Sequence, residues 1–506
     1  MIGDTFGDLS EYVPGGSFIT AGIGGISETI NEAISLMGNR YIARVDTTGT
    51  TAPAISATFT NGSPNVTTTG TFNVPTQGVP LNDFLSVAGR RYRVKFKTSA
   101  TDIVLWENFI GTTGTYSVYY ETIDPAVVQL LPGEFQETID IVPGIHLRGI
   151  NREACKFSND VAFGSSSILG DNSISDVTIG PTKWFTSLDN IAVAAIVEYA
   201  GALFTMNNVL LRAVNEGGSH AGGGVHLSTI PGGTVRIQHS DIELGDEPFD
   251  LNSTGDSTRR SRLEITSTNI RQVNGQQSGG VSGGFPVYAL SDQFAGTDYH
   301  DIYLSDVNIK FPDMLRNPSI AGTFGAILAS GANNVWELRN VTSDVTNVNA
   351  SAAATERAGC VVVAGGVVRI KGCDLRASGT NTAGAAGIAL DVSGGTVYIE
   401  NSTLEGNQFS IRQTGGTIYI GKGVTLIGPV SGTLSSQVRG VVTLNGATPV
   451  TVPTSMVHTA SRIKLCRQVA GGTMGHFGIG TVTNNTSFTV VGQALDTSTV
   501  MWELEE

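Results

Sequence analysis

The chain has 506 residues, of which 15% are charged and 7% aromatic, while glycine alone accounts for 64. Hydrophobic residues make up 40% of the sequence, which is enough for a packed core and excludes wholesale disorder. The formal net charge of -14 disfavours a nucleic-acid binder, which needs a broad basic surface. No run of about 18 apolar residues occurs, so we expect no membrane insertion. The N-terminus lacks a basic region followed by an apolar core, so we predict no signal peptide.

The first predicted element is a short helix near the N-terminus. Apolar residues recur at helical spacing from Ile26 to Met37, and Ser27 is a plausible N-cap. An open end of stacked strands would aggregate if it were uncovered. We therefore expect this helix to cover the N-terminal end of such a stack. Residues 1–25 are rich in glycine, and we expect them to become ordered only against a partner protein.

Residues 42–122 contain alternating strands and many turns, which indicates a small β-sandwich or barrel. Within this segment, one strand carries the local basic run of the chain. Alternation places four basic side chains on one strand face, namely Arg91, Arg93, Lys95 and Lys97. Two interpretations stay open for them: a solvated outer face, or a docking surface for an acidic partner protein, since charge complementarity speeds assembly and fixes orientation.

A short template recurs through the middle of the chain. It reads as an apolar residue, any residue, a second apolar residue, about four mostly polar residues and a third apolar residue. Its copies begin at Phe204, Val235, Leu263, Ile302, Trp336, Val368, Val397 and, in a partial form, Ile418. The steps between successive copies are 31, 28, 39, 34, 32, 29 and 21 residues. The copy at Trp336 is looser, because Ser343 takes the place of the third apolar residue.

This template predicts the coils of a parallel β-helix. Alternation puts two apolar side chains on one strand face, the polar link turns the chain, and the next strand points its apolar residue inward again. Each step is long enough for three short strands and their turns, so each coil can stack on its neighbours around a continuous apolar column. A leucine-rich repeat would need a fixed period, and a β-propeller would need antiparallel blades of about 40 residues.

Two segments carry a resemblance to known proteins. Thr29-Ile30-Asn-Glu-Ala33-Ile34 in the helix and Leu131-Pro-Gly-Glu-Phe135 in the first coil resemble the opening of pectate-lyase-like right-handed β-helix proteins. That superfamily includes phage tailspikes and other virion appendages. The sequence departs from the pattern by inserting the module of residues 42–122 between the helix and the first coil, which we expect to begin near Val127.

The tail from Gly440 lacks the coil template. Three elements occur in order: Gly471-Gly-Thr-Met-Gly-His476, Thr486-Ser-Phe-Thr489 and Asp496-Thr-Ser-Thr-Val-Met-Trp502. They are similar to a compact C-terminal β-domain of phage and large-virus fibre and spike proteins, which often caps the helix at a three-fold axis. The resemblance implies a virion appendage and a homotrimer. We expect His476, Phe488 and Trp502 at the cap or the trimer contact, and the other interpretation is that they are core residues of a monomeric cap.

The predicted fold is all-β: a right-handed parallel β-helix with a short N-terminal capping helix, an inserted small β-module and a C-terminal β-sandwich-like cap. The predicted boundaries are 1–41 for the virion anchor and capping helix, 42–122 for the module, 123–439 for the β-helix and 440–506 for the C-terminal domain.

An acidic patch in the middle of the β-helix is the candidate catalytic site. If Ile242 points inward, Asp241 and Glu243 both point outward, with Cα atoms about 6.6 Å apart. Glycosidases place their carboxyl groups about 5–5.5 Å apart for retention or about 6.5–9.5 Å apart for inversion, so this spacing permits catalysis. A solvated or ion-binding acidic face fits the pattern as well. No cysteine pair or histidine cluster predicts a metal site, and no motif predicts a cofactor.

From these features we expect a non-enzymatic virion appendage, either a tailspike or a head spike or fibre. It would adhere to host-surface glycans as a homotrimer, contact other virion proteins through its N-terminal region and be assembled in the host cytoplasm. One alternative is a polysaccharide depolymerase, a glycoside hydrolase or lyase that uses Asp241 and Glu243. A second alternative is a capsid decoration protein with no ligand.

Overall fold

The computed structural model of the chain describes most of its predicted strands. The described residues are 17–21, 25, 27, 29–36, 41–43, 55–69, 83–87, 90–99, 101–123, 126–136, 144–157, 172–180, 191–197, 203–213, 224–229, 233–244, 249–253, 260–272, 288–292, 299–311, 322–347, 356–436, 439–454, 457, 459, 461–484 and 486–505. Over these ranges the fold is nearly all β, with one short helix, Ile30–Leu36. No helix in this part of the chain is long and apolar enough to cross a membrane.

Three sheets, each built from strands of successive windings, form the central region. The first sheet has thirteen described strands, in the order Ser17–Ala21, Ala126–Leu130, Ile145–Gly149, Asn172–Ser175, Leu203–Asn207, Thr234–Gln238, Ser261–Thr266, His300–Ser305, Val335–Arg339, Val367–Lys371, Thr396–Glu400, Thr417–Ile420 and Leu434–Ser436. All of its neighbouring strands pair in parallel.

The second and third sheets follow the same winding order. The second contains, among the described residues, Gly133–Phe135, Cys155–Phe157, Thr178–Ile179, Leu210–Ala213, Asp241–Leu244, Asn269–Gln272, Asn308–Phe311, Thr342–Asn347, Asp374–Asn381, Thr403–Gly406 and Thr425–Ile427, with Gly384–Ala385 paired antiparallel at its side. The third contains Ile191–Val197, Gly224–Thr229, Phe249–Ser253, Tyr288–Ser291, Gly322–Ala329, Glu356–Val363, Gly387–Val392, Phe409–Gln413 and Val430–Ser431.

The strand register places equivalent positions of the sequence template next to one another. The first apolar position forms a column in the first sheet, made of Phe204, Val235, Leu263, Ile302, Trp336, Val368, Val397 and Ile418. The third apolar position forms a column in the second sheet, made of Leu211, Ile242, Ile270, Ile309, Ser343, Leu375 and Leu404. Every one of these side chains is buried, including that of Ser343 in the looser copy. The predicted parallel β-helix is confirmed.

The polar link of the template forms a sharp bend between the first and second sheets. One residue of the bend has a φ between 47° and 67° in most windings: Asp176, Asn208, His239, Ser267, Asp306, Asn340, Gly372 and Asn401. Asn, Asp and Gly tolerate this left-handed backbone best, which explains their recurrence in the link. The N–H of each of these residues donates to a carbonyl of the following winding at 2.8–3.2 Å, so each bend also ties two windings together.

The N-terminal region differs from the sequence prediction in two respects. Thr29 rather than Ser27 caps the helix: the Glu32 N–H donates to Thr29 Oγ1 at 3.1 Å, whereas Ser27 lies two residues further out and its hydroxyl donates to the Thr29 carbonyl at 2.9 Å. Strand Ser17–Ala21, from the segment predicted to be an anchor, pairs in parallel with Ala126–Leu130. The first sheet therefore begins before the helix and the inserted module rather than near Val127. Residues 1–16 lie outside the described residues.

The inserted module is an antiparallel barrel. Its described strands follow the order Tyr41–Ala43, Gly114–Ile123, Ile55–Phe59, Asn65–Thr68, Asp102–Leu105, Arg90–Lys97 and Asp83–Val87, and the last of these also pairs with Gly114–Ile123. The extra pairing closes six of these strands into a ring, while Tyr41–Ala43 pairs beside it with Gly114–Ile123. The enclosed core is aromatic, with Phe59 and Phe109 rings 4.7 Å apart and Tyr92 packed beside them.

The C-terminal region contains two antiparallel sheets of three strands each within its described residues. One is formed by Arg439–Thr443, Thr499–Glu505 and Arg462–Val469, and the other by Val450–Pro453, Ser487–Val491 and Gly478–Thr483. A separate apolar cluster, built from both sheets, fills this region. The two-sheet arrangement agrees with the predicted sandwich-like cap.

The bend residue Asn340 offers a test of the stacking. We expect Asn340→Val to lower the free energy of unfolding by about 1–3 kcal/mol, because a β-branched residue is strained at a φ of 51°. Asn340→Gly is the matched control, since it accepts the same backbone and loses only the 3.1 Å hydrogen bond from Asn340 to Asp306. Thermal unfolding should rank the glycine variant clearly above the valine variant, and equal midpoints would contradict this role for the bend.

Candidate functional site

The carboxylates singled out in the sequence, Asp241 and Glu243, lie on the second sheet in strand Asp241–Leu244, with Ile242 buried between them. Asp241 accepts a hydrogen bond from Arg152 Nη1 at 2.7 Å and another from Asn269 Nδ2 at 2.8 Å. Both partners come from other windings. Asp241 is therefore held in a ladder of polar side chains that runs across the strands.

Glu243 is enclosed more tightly, although it points away from the apolar core. It is only 4% exposed, because Arg212 and Arg271 from the two adjacent windings flank it. Arg212 Nε donates to Glu243 Oε2 at 2.9 Å, and Arg271 Nη2 contacts Glu243 Oε1. Burial raises the pKa of Glu243, but the hydrogen bonds and charges of Arg271 and Arg212 outweigh it and hold that pKa below its ordinary value.

This environment is the opposite of what a glycosidase acid requires. A general acid needs a raised pKa and an oxygen that can reach the glycosidic oxygen of the substrate. The oxygens of Glu243 are occupied by two arginines, and its pKa is lowered. The structure thus gives Asp241 and Glu243 the contacts of an ion-pair ladder between windings.

A second carboxylate pair lies on the outer face of the first sheet. Glu264 and Glu337 occupy the same strand position two windings apart, with Tyr303 between them, which places their backbones about 9.6 Å apart. Arg236 Nε and Arg262 Nε each lie 2.6 Å from an oxygen of Glu264. Arg339 Nε donates to Glu337 at 3.0 Å, so arginines occupy this pair as well.

A row of side chains with different chemistry continues along that outer face. It occupies the middle, unconstrained position of the template, and we call it the outer row: Tyr303, Glu337, Arg369, Tyr398 and Tyr419. The rings of Tyr398 and Tyr419 stack with centroids 5.1 Å apart and an interplanar angle of 13°. The Arg369 guanidinium carbon lies 5.7 Å from the Tyr398 centroid, and that of Arg339 lies 5.4 Å from the Tyr303 centroid.

The outer row offers polar tips and flat apolar surfaces on one rigid sheet. Its three tyrosines are half-buried, whereas Arg369 is exposed. Burial, with a contribution from Tyr419, raises the pKa of Tyr398, so its phenol is neutral and can both donate and accept a hydrogen bond. Such amphipathic rings suit a ligand that alternates apolar C–H faces with hydroxyl groups. The arrangement supports binding of an extended sugar chain.

The sequence analysis did not single out the outer row, although the repeat contained the signal. Aligning the copies places Tyr303, Tyr398 and Tyr419 at the same template position, between two inward-pointing apolar residues. That position looked unconstrained because its identity varies from copy to copy. Its chemistry becomes visible only when the windings are superposed.

The C-terminal residues singled out in the sequence fall into two groups. Phe488 and Trp502 pack edge to face, with centroids 5.3 Å apart and an interplanar angle of 77°, in the buried cluster between the two sheets. Their side chains are enclosed by their own domain, as core residues are. His476 is exposed.

The basic run of the module is only partly described. Tyr92 and Val94 point into the barrel core, and a register shift follows Val94. Lys95 is exposed, with its Nζ 5.2 Å from the ring centroid of Trp106, a side chain that is itself 57% exposed. The side chains of Arg91, Arg93 and Lys97 lie outside the described residues.

Asp496 joins the sequence elements of the C-terminal domain. It is fully buried and accepts hydrogen bonds from Ser498 N at 2.9 Å, Gly475 N at 3.1 Å and Arg467 Nη2 at 2.6 Å. Hydrogen bonding from Ser498 lowers the pKa of Asp496 to about 2 against the opposing effect of burial, and Gly475 and Arg467 act in the same direction. The glycine-rich element and the Asp-Thr-Ser-Thr element therefore occur together because one carboxylate binds both.

The lowered pKa of Asp496 predicts that the C-terminal domain loses stability in acid. An aspartate in an unfolded chain has a pKa of about 3.9, so the stability that Asp496 contributes is present above that pH and is lost as the pH falls towards about 2. We expect Asp496→Asn to lower the thermal midpoint of the C-terminal domain at neutral pH and to flatten its dependence on acid. Tryptophan fluorescence can report this through buried Trp502. Thr473→Ala, at an exposed position of the same glycine-rich element, is the control, and an unchanged acid profile in Asp496→Asn would contradict the assignment.

Comparison with known proteins finds a family match for the C-terminal domain. Residues 436–504 match the family model described as K1 capsule-specific polysaccharide lyase, C-terminal domain. A comparison with curated proteins finds no match.

Several solved structures have a related arrangement of strands. The Dettilon tailspike protein gp208 is 10% identical, with a TM-score of 0.32, covering 75% of this chain and 88% of that one. The Gp54 tailspike of Acinetobacter baumannii bacteriophage AP22, solved in complex with A. baumannii capsular saccharide, is 8% identical, with a TM-score of 0.32 and coverage of 89% and 82%. The gp49 tailspike of A. baumannii bacteriophage Fri1, described as a capsular polysaccharide depolymerase, is 11% identical, with a TM-score of 0.30 and coverage of 75% and 79%.

Proposed function

We propose that this chain is a virion appendage of the tailspike type that adheres to a host-surface polysaccharide through the outer row of the first sheet. The observation that carries the proposal is the stacked pair Tyr398 and Tyr419 on the outer face of a β-helix. The two rings face each other, so they present their edges and phenol hydroxyls to a ligand, and successive sugar residues can lie along this row. The sheet beneath them is held by continuous strand pairing, so little order has to be gained on binding.

The family match of the C-terminal domain supports the proposal that the chain is a virion appendage. Its family model is named for a lyase specific for a bacterial capsule, and capsule polysaccharide is a surface that an infecting particle has to engage. We infer from this that the polysaccharide lies on the outside of a bacterial host and that the chain acts on the virion. We also propose that the chain attaches to other virion proteins through its N-terminal region. The outward face of strand Arg90–Lys97 that carries Lys95 would be a docking surface for such a protein.

The contacts of the carboxylates favour adhesion over hydrolysis. Asp241, Glu243, Glu264 and Glu337 are each engaged by arginine from their own or another winding. The depolymerase alternative is favoured by one observation, the lyase named in the C-terminal family match. No specific observation favours the second alternative, a decoration protein without a ligand. Absence of polysaccharide binding by the unaltered chain would favour it.

Removal of the two stacked rings tests the proposal. We expect the double change Tyr398→Ala and Tyr419→Ala to weaken binding of the purified full chain to host cells or their capsular polysaccharide by about tenfold or more, because the hydroxyl and apolar edge of each ring together contribute about 1 kcal/mol or more. Trp106→Ala is the matched control, since it removes an exposed ring from the inserted module. Equal losses in both variants, or no binding by the unaltered chain, would contradict the assignment to the outer row.

The same incubation separates adhesion from depolymerisation. New reducing ends without unsaturated sugars would indicate a hydrolase, and new reducing ends together with unsaturated sugars would indicate a lyase. Under our proposal neither product accumulates. Turnover that is abolished by Asp241→Asn or Glu243→Gln would establish the depolymerase alternative and overturn the non-enzymatic one.

We also propose that the chain assembles as a homotrimer through its C-terminal domain. One outer face of that domain exposes apolar side chains in a cross-strand row, Val441 at 55%, Met501 at 41% and the exposed Cys466. The adjacent row places Glu503 between Arg439 and Lys464, a polar border suited to a specific contact between copies. A closed three-fold assembly would cover such a face without open-ended growth.

The assembly has a direct measurement. Light scattering of the purified chain should give a mass three times that of the 52.8 kDa monomer. Val441→Glu combined with Met501→Glu should shift the mass towards one chain, because charge repulsion in a buried contact is costly. Thr451→Glu, at an exposed position on the other sheet of the domain, is the control. A monomeric unaltered chain would contradict this part of the proposal.

A further inference from the structure

One cation on the outer row is exceptional in its surroundings. Arg369 is exposed, and within the described part of the chain no carboxylate forms an ion pair with it. The basic residues near it form ion pairs. Arg339, in the adjacent strand Val335–Arg339, pairs with Glu337, and Lys371, in the same strand as Arg369, pairs with Glu400 at 3.6 Å. Arg369 instead lies over the ring of Tyr398.

The position of Arg369 beside Tyr398 leaves the guanidinium available to a ligand. A guanidinium within about 6 Å of an aromatic centroid is attracted to the ring, and its N–H groups that point away from the ring can bind a planar acceptor. A carboxylate matches two of those N–H groups at once. The side chain is also restrained before binding, which lowers the entropy lost when the contact forms.

The charge of the whole chain makes this cation more significant. With a formal net charge of -14, the protein repels an anionic polymer in general, and the repulsion must be offset locally if such a polymer is to bind. Arginines elsewhere on the outer faces, such as Arg212, Arg236 and Arg376, have their charge offset by a carboxylate of the chain. Arg369 is left to be neutralised by the ligand.

We propose that the outer row binds an acidic polysaccharide, with Arg369 holding a carboxylate of one sugar residue while the ring edges and hydroxyls of Tyr398 and Tyr419 contact the sugars that follow it. This inference rests on the proposed adhesive function and specifies its ligand. It assigns to Arg369 the role of a specificity-determining residue.

The test uses the full chain and an array of purified bacterial capsular polysaccharides grouped as carboxylate-bearing, sulfate- or phosphate-bearing without carboxylate, and neutral. Binding should be confined to the carboxylate-bearing group. Chemical reduction of those carboxylates to alcohols, which preserves the polymer backbone, should weaken binding by about tenfold or more, as expected for loss of a charge-assisted hydrogen bond. Arg369→Gln should cause a similar loss and should make reduction of the polysaccharide almost without further effect.

Arg376→Gln is the matched control, because it removes the same charge from an exposed arginine that pairs with Asp374 on the second sheet. It should bind like the unaltered chain. Binding to neutral or purely sulfated polysaccharides that is insensitive to Arg369→Gln but lost in the tyrosine variant would overturn this inference and leave the proposed adhesive function standing. Absence of binding to every polysaccharide would overturn both.

Discussion

The in-register pairing of each winding with the next governs this structure. Parallel strands about 4.8 Å apart place every side chain directly beside its counterpart in the neighbouring windings, so a residue has to be compatible with the column it joins. Inside the β-helix this requirement produces continuous columns of apolar side chains such as the one from Phe204 to Ile418. At the bend it produces the series of left-handed residues whose N–H groups bind the following winding.

On the outside, the same requirement brings opposite charges together at several positions. Like charges on adjacent windings repel at close range, and Glu243 of the second sheet lies instead between Arg212 and Arg271. Asp241, bound by Arg152 and Asn269, follows the same logic. Asp241 and Glu243, which appear suited to catalysis in the sequence, contact arginines of other windings in the structure. The outer row of the first sheet departs from this pattern, since it combines stacked tyrosines with the exposed Arg369, and this departure marks it as a ligand surface.

The sequence analysis succeeded where a residue's environment depends on its immediate neighbours and on the period of the repeat. The alternation within each copy predicted which side chains are buried, and the register confirmed the column from Phe204 onwards. It failed at Ser27, because the helix begins only at Ile30 and Thr29 takes the cap. It also missed strand Ser17–Ala21, whose partner Ala126–Leu130 lies beyond the whole inserted module. Both features lie in or beside the glycine-rich N-terminal segment, where the sequence pattern is too weak to predict the start of the helix or the strand Ser17–Ala21.

The sequence by itself determined the coil repeat, the inward face of each strand and the bends, because these depend on side-chain alternation and on backbone preferences that act within a few residues. Tertiary structure decided which outward side chains meet, since contacts such as Arg152 with Asp241 or Tyr398 with Tyr419 join different windings. The steps between copies are irregular, so no fixed spacing along the chain reveals those contacts. Only the stacking of the windings shows that Glu243 is neutralised and that Arg369 is free to bind a ligand.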